Sequence, residues 1–233
     1  MFYQSWRNLL FLHWKVPISV IKDTLPPSLT VDTWHGSAYL GIIPFRMLNL
    51  RPTFAFPIPA LSNFTEINLR TYVRDKQGRK GVWFFSLDTE NLLGNWIARR
   101  FFYLNYRYAK TYFKSMSPKE HHCSVLLKNT KFEKQRFEWE ESEDCFLPSN
   151  NRDSLECFLT ERYRLFSYNS VTKQLYSGQI VHEPYVLNRP KLKRFSLDLV
   201  EDNISYKLPI RQPDSVLAAS GTDVRVYTLE KVL

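Results

Sequence analysis

Seven glycines in 233 residues leave little material for nucleotide-cradling turns, and no glycine-rich phosphate loop occurs. The G-x-S-x-G elbow, the H-E-x-x-H zinc motif and paired C-x-x-C spacings are missing too. Their absence removes the common phosphate-loop, esterase and zinc-site readings. Cysteine is scarce: Cys123, Cys145 and Cys157 are odd in number and lack paired metal-ligand spacing, which argues against a disulfide framework. Reduced thiols fit a cytoplasmic protein. No run of about 18 apolar residues exists, and the short run Leu9-Leu10-Phe11-Leu12 ends at once in His13, Trp14 and Lys15 without a small-residue cleavage site. We therefore expect an unsecreted protein without a membrane partner.

What the chain does have is core-forming material. Hydrophobic residues make up 44% and aromatics 15%, enough for one sizeable core. The formal charge is +9 at pH 7, which raises nucleic acid or an anionic surface as partners. The basic residues are scattered, however, and Glu138 to Asp144 is strongly acidic. A solvated surface explains that pattern better, with a cavity for anionic small molecules as a second use of positive charge.

Residues 66 to 74 alternate strictly. Glu66, Asn68, Arg70, Tyr72 and Arg74 fall on one face, and Ile67, Leu69, Thr71 and Val73 on the other. That period of two predicts a strand, followed through Asp75 to Lys80 by a second at Gly81 to Asp88. The polar face either meets water or lines a barrel interior.

Around this hairpin we expect a short helix from Pro17 to Leu25, closed by Pro26-Pro27. Leu29 to Thr33 and Ser37 to Phe45 read as a hairpin turning at His35-Gly36. Arg51 to Ala60 reads as an extended aromatic loop that packs down or acts as a flap. A helix follows, capped by Asp88 or Thr89, with Leu93, Ile97, Phe101 and Leu104 at helical spacing and Trp96 beside them. Further strands are expected at Tyr106 to Phe113, at Ser124 to Leu127 with Phe132 to Trp139 around Asn129-Thr130, and at Tyr163 to Tyr168 with Gln174 to Val181. A helical turn opens at Asp153 or Ser154. Late strands are expected near Lys193 to Val200 and Val224 to Leu229, with Ser220-Gly221 as a turn between them. Many strands with few helices predict one mainly antiparallel α+β domain over residues 1–233.

The candidate site residues follow from these placements. Glu66 and Arg70, about 13 Å apart on one strand face with Asn68 between, form an array that could grip a polar ligand or pair across strands. Lys110 lies on a tyrosine-rich face, where burial would make it a nucleophile; a solvent-facing lysine is the alternative. His182 precedes Glu183-Pro184 at a strand end, as an acid–base group or a hydrogen-bonded structural histidine. His121-His122-Cys123 resembles a metal site, but adjacent strand residues point to opposite faces, so we expect a surface loop and no metal.

Several strings resemble the YqjF-like family of uncharacterised bacterial proteins. They are Phe11-Leu12-His13-Trp14-Lys15-Val16-Pro17, Leu25-Pro26-Pro27-Ser28-Leu29, Gly36-Ser37-Ala38-Tyr39, and the Glu66 to Val73 and Gly81 to Asp88 strands. Phe158 to Tyr163, His182-Glu183-Pro184-Tyr185 and Ser220 to Val224 extend the likeness over nearly the whole chain. That family is similar to the acetoacetate-decarboxylase-like superfamily, and the resemblance implies a closed, cone-like β-barrel with a few flanking helices and an enclosed cavity. In the decarboxylase a lysine activated by a cationic neighbour forms a Schiff base. The corresponding segment here, Asn105-Tyr106-Arg107-Tyr108-Ala109-Lys110, carries no adjacent lysine pair. Glu66 matches the decarboxylase's cavity glutamate on an early strand.

The expected function is therefore binding of a small anionic or carbonyl-containing metabolite, with lyase-type chemistry that does not use paired lysines and needs no cofactor. Glu66 would be acid or base, Arg70 an anion contact, Asn68, Tyr106 and His182 ligand contacts, and Lys110 a nucleophile. The alternative is a non-catalytic ligand-binding or interaction protein; homo-oligomers stay open, and nucleic acid rests on net charge alone.

Overall fold

The longest strands are β1 (Phe2–Val16) and β3 (Ala38–Pro52), which pair with each other antiparallel. Within β1, every residue from Leu9 to Trp14 is buried. Leu10, Leu12 and Trp14 enter one core cluster, while Leu9 and Phe11 enter another. A strand with apolar material on both faces reads as a continuous run, not an alternation, which is why the sequence pattern stops short of it.

The structure, a computed structural model, describes residues 1–128 and 133–232, apart from the side chains at 59, 60 and 97. After β1 come α1 (Ile18–Lys22), β2 (Leu29–Val31), β3, α2 (Pro59–Ser62), β4 (Phe64–Asp75), β5 (Lys80–Thr89) and α3 (Leu92–Phe101). Then follow β6 (Tyr106–Ser115), β7 (Glu120–Leu127), β8 (Gln135–Glu140), β9 (Cys145–Phe146), α4 (Leu155–Thr160), β10 (Arg164–Asn169) and β11 (Gln174–His182). The chain closes with β12 (Leu187–Asn188), β13 (Lys191–Arg194), α5 (Asp198–Ile204), β14 (Ser215–Val226) and β15 (Glu230–Lys231).

These strands make one mixed, mostly antiparallel sheet. Its main order is β13-β8-β7-β6-β5-β10-β11-β14-β1-β3-β4-β2, and β4 also pairs antiparallel with β5 along Glu66 to Arg74. The β5–β10 and β5–β6 contacts are parallel. The β6-β7-β8-β13 wing and α5 cover the outer side of the other strands, where Ala109, Val125, Phe137, Trp139, Leu199 and Val200 pack on Ile67 and Leu69.

Several expectations are corrected. Leu29 to Val31 pairs with β4, not with the strand after His35-Gly36. The turn itself holds, with φ of 47° at His35 and 77° at Gly36 and a Trp34–Ser37 bridge. Residues 198–204 are helix, not strand, helped by Asp198 and Glu201 in the first turn. Gly221 is no turn: it sits inside β14 at φ 152°, opposite Arg7, where a Cβ would come within 2.3 Å of the Trp6 carbonyl oxygen. Asn91, not Asp88 or Thr89, caps α3, its side chain accepting from the Gly94 amide at 2.9 Å. Ser154 caps α4 as expected. The turn at Asn129-Thr130 lies outside the described residues.

Candidate functional site in the cavity behind strand β4

Every residue of β4 is buried except Arg74. This overturns the reading in which its polar side faces water. Ile67 and Leu69 pack outward under the β6–β8 wing, while Glu66, Asn68 and Arg70 line a cavity of about 170 Å³. The rest of its wall is largely apolar, from Phe11, Ile43, Phe45, Leu87, Leu165, Ile180 and Tyr185, with Gly94, Asn95 and Ala98 of α3 along one side. The alternation does not run the full strand as one surface. Tyr72 enters a core cluster with Tyr39 and Phe158, and Arg74 leaves to pair with Asp32 at 2.6 Å. A bulge opposite Leu69 and Arg70 breaks the β4–β5 register there.

Glu66 is 2% exposed and accepts a hydrogen bond from the Tyr106 hydroxyl at 2.9 Å. Strand register delivers that partner: Asn68 pairs with Leu87, and Leu87 with Tyr106, so Tyr106 sits diagonally across from Glu66. Burial pushes the Glu66 carboxyl up from 4.5 to about 7; hydrogen bonds from Tyr106 and Asn68 oppose the rise, and the Asp88 charge adds to it. Burial, with the Glu66 charge, also holds the Tyr106 phenol well above its usual range. Near neutral pH this pair holds a proton that it can give or take.

Arg70 is 8% exposed. Its Nη2 donates to the Leu159 carbonyl at 3.0 Å and to the Tyr72 hydroxyl at 3.3 Å, and its guanidinium carbon lies 5.7 Å from the Phe11 ring centre. No carboxylate among the described residues forms an ion pair with it. Its Nε and the Asn68 Oδ1 are buried without a partner. A buried cation needs compensation, and the described wall supplies neutral acceptors and ring faces but no counter-charge.

A histidine that the sequence reading passed over completes the Arg70 end. His13 is fully buried with Nε2 2.7 Å from the Tyr72 hydroxyl, which itself donates to the Leu159 carbonyl at 2.7 Å. Burial and then the Arg70 charge hold His13 well below its usual pKa, so it stays neutral. Opposite it stands Gly41, where a Cβ would meet the His13 ring at 2.9 Å. The run from Leu9 to Trp14 contained that signal: a lone polar residue within a doubly buried strand.

Lys110 is not brought to the site. The β5–β6 pairing stops at Thr89–Tyr108, so beyond it β6 runs past the end of β5 and Lys110 is exposed. No lysine stands among the described residues lining the cavity. His182 lies behind the wall: its Nδ1 donates to the Glu183 carbonyl at 2.7 Å, and its ring packs on Tyr185, which does line the cavity. His121 and His122 lie within β7 and not on a surface loop; His121 contacts Ser115 Oγ at 2.9 Å and Glu141 at 3.1 Å, and His122 contacts Glu138 at 3.2 Å.

Comparison with known proteins gives this architecture a context. The chain is 35% identical over 229 residues to the uncharacterized protein YqjF of Bacillus subtilis, spanning 98% of this chain and 91% of that one. It superposes on acetoacetate decarboxylase from Legionella pneumophila with a TM-score of 0.69 and 13% identity, over 99% of this chain and 87% of that one. The enduracididine biosynthesis enzyme MppR complexed with pyruvate superposes with a TM-score of 0.66 and 10% identity, over 99% and 89%. At such identities the two structures speak for the fold. The model of DUF2071, a family described as an uncharacterized conserved protein, matches residues 3–223, and the chain belongs to that family.

Proposed function

We propose that residues 1–233 form one closed, cone-like β-barrel domain whose cavity binds a small carboxylate, with or without a ketone beside it. The return of the strand pairing from β4 to β5 supports closure. The observation that carries the ligand class is Arg70, a buried guanidinium on the cavity wall without a carboxylate among the described residues. A ligand carboxylate would supply the missing charge in a low-dielectric site, where such a pair is strong. The apolar wall would take the rest of the molecule.

Glu66 and Tyr106 then face the ligand's other end. A carboxyl with a pKa of about 7 suits proton transfer at a carbon beside a carbonyl. This favours acid–base chemistry without an imine, since the cavity wall offers no described lysine. Binding without catalysis is the second reading, favoured by that same lack of a nucleophile.

Acetoacetate and pyruvate are the probes. Calorimetry should detect binding of at least one of them to the wild type and tenfold or greater weakening in Arg70→Met, about 1.4 kcal/mol. Binding by neither, or equal binding by Arg70→Met, would refute the anion site. Deuterium exchange at the carbon next to the probe's ketone (the methyl of pyruvate, the methylene of acetoacetate), faster than without protein in wild type and not in Glu66→Gln, would select catalysis, whereas bound ligand that never exchanges faster would select plain binding. Borohydride treatment should leave no adduct on any lysine.

A further inference from the structure

Helix α3 has two faces with different surroundings. Gly94, Asn95 and Ala98 turn inward and line the cavity. Leu92, Leu93, Trp96, Arg99, Arg100 and Phe101 are exposed, Leu92 by 65% and Trp96 by 60%. A helix covering a cavity ordinarily keeps its large apolar residues inside; this one turns them out. The neighbouring segment does the same. Phe54 is 102% exposed and is held at φ 68°, a costly conformation for a non-glycine residue, and Phe56 and Ile58 are exposed as well. The Asn91 side chain, donating to the Leu61 carbonyl at 2.7 Å, ties the two segments together.

Charge completes the pattern. Neither 51–63 nor 91–104 contains an aspartate or glutamate, although Glu90 flanks the helix, and together they carry Arg51, Arg99 and Arg100. Exposed tryptophan, phenylalanine and leucine beside arginines, with no acid in either segment, is the composition of an interfacial helix. No described helix is long and apolar enough to cross a bilayer, so contact would be with the surface. A second copy of the chain fits less well, because a two-fold contact would set these arginines against their own counterparts.

We propose that the outer face of α3 and the Phe54–Ile58 segment dock on an anionic bilayer surface. The proposal stands apart from the identity of the cavity ligand. Its test is co-sedimentation with phosphatidylcholine vesicles, with and without phosphatidylglycerol, at about 50 mM salt, where surface charge is weakly screened. The wild type should sediment with the anionic vesicles and stay free of the neutral ones. Arg99→Gln and Arg100→Gln should each weaken binding about fivefold, and the double variant Phe54→Ser/Phe56→Ser by more than tenfold, with melting temperatures confirming that each variant folds. No sedimentation with anionic vesicles, or variants that sediment like wild type, would overturn the proposal. So would a lipid-free dimer that the same variants dissociate, which would make a second copy the occupant.

Discussion

Two buried charge groups sit on neighbouring strands, and only one of them has its charges paired. Asp88 of β5 is fully buried, yet Arg107 of β6 clasps it through Nε at 2.6 Å and Nη2 at 3.0 Å, and Arg107 reaches Asp202 of α5 at 2.6 Å. On β4, Arg70 has no acidic partner among the described residues, and Glu66 has a phenol and an amide but no cation. The first cluster ties the wing and α5 to the other strands; the second faces empty volume. Burial alone therefore does not mark a site. What distinguishes the two is whether the protein answers its own charges; in the function we propose, the unanswered ones are left for the ligand.

The largest effect should come from breaking the satisfied group. Arg107→Met would strand the Asp88 carboxylate, which burial already holds above its ordinary pKa, and should cost about 3 kcal/mol in denaturant unfolding. Carboxylate binding in the folded fraction should be untouched.

Next is the pH dependence of Glu66. Below pH 4.5 it is protonated both folded and unfolded, and contributes no slope. Between 4.5 and about 7 the unfolded chain ionises first, so wild-type stability falls with rising pH by about 3 kcal/mol in all. Glu66→Gln lacks that fall and should be the more stable protein at pH 8, the gap closing by pH 4. Unfolding curves at the two pH values check it.

Arg70→Met should behave unlike Arg107→Met, losing carboxylate binding at least tenfold (about 1.4 kcal/mol) while unfolding no more easily than wild type, because it removes a buried charge that has no ion-pair partner among the described residues. A large loss of stability would mean that Arg70 is structural after all. The smallest effect belongs to Lys110→Ala, which should shift stability by less than about 0.5 kcal/mol and leave binding unchanged.

The sequence carried the strands of this comparison better than their surroundings. Alternation from Glu66 to Val73 identifies a strand, but a period of two says only that there are two faces; it cannot say that both are buried. The β1 strand was illegible for a related reason, since Leu9 to Trp14 is buried on both sides and shows no alternation. Around Phe195 to Val200 a short apolar run fits helix and strand equally, and first-turn acids decide it. Leu93 and Phe101 have the spacing of a core stripe, yet they face outward, because spacing fixes which residues share a face and not what that face meets. Arg107 stands in the segment that corresponds to the decarboxylase's lysine; its partners, Asp88 and Asp202, come from a parallel neighbour strand and a helix nearly a hundred residues on, which no local pattern can show.

A proton-transferring Glu66 and a charge-seeking Arg70 both require the polar face of β4 to be enclosed. Carbon-13 NMR titration of labelled glutamate carboxyls, with Glu66→Gln to assign the signal, reads that most directly. Enclosure gives a Glu66 midpoint near 7. A midpoint at the ordinary 4.5 would place the carboxylate in water and contradict it.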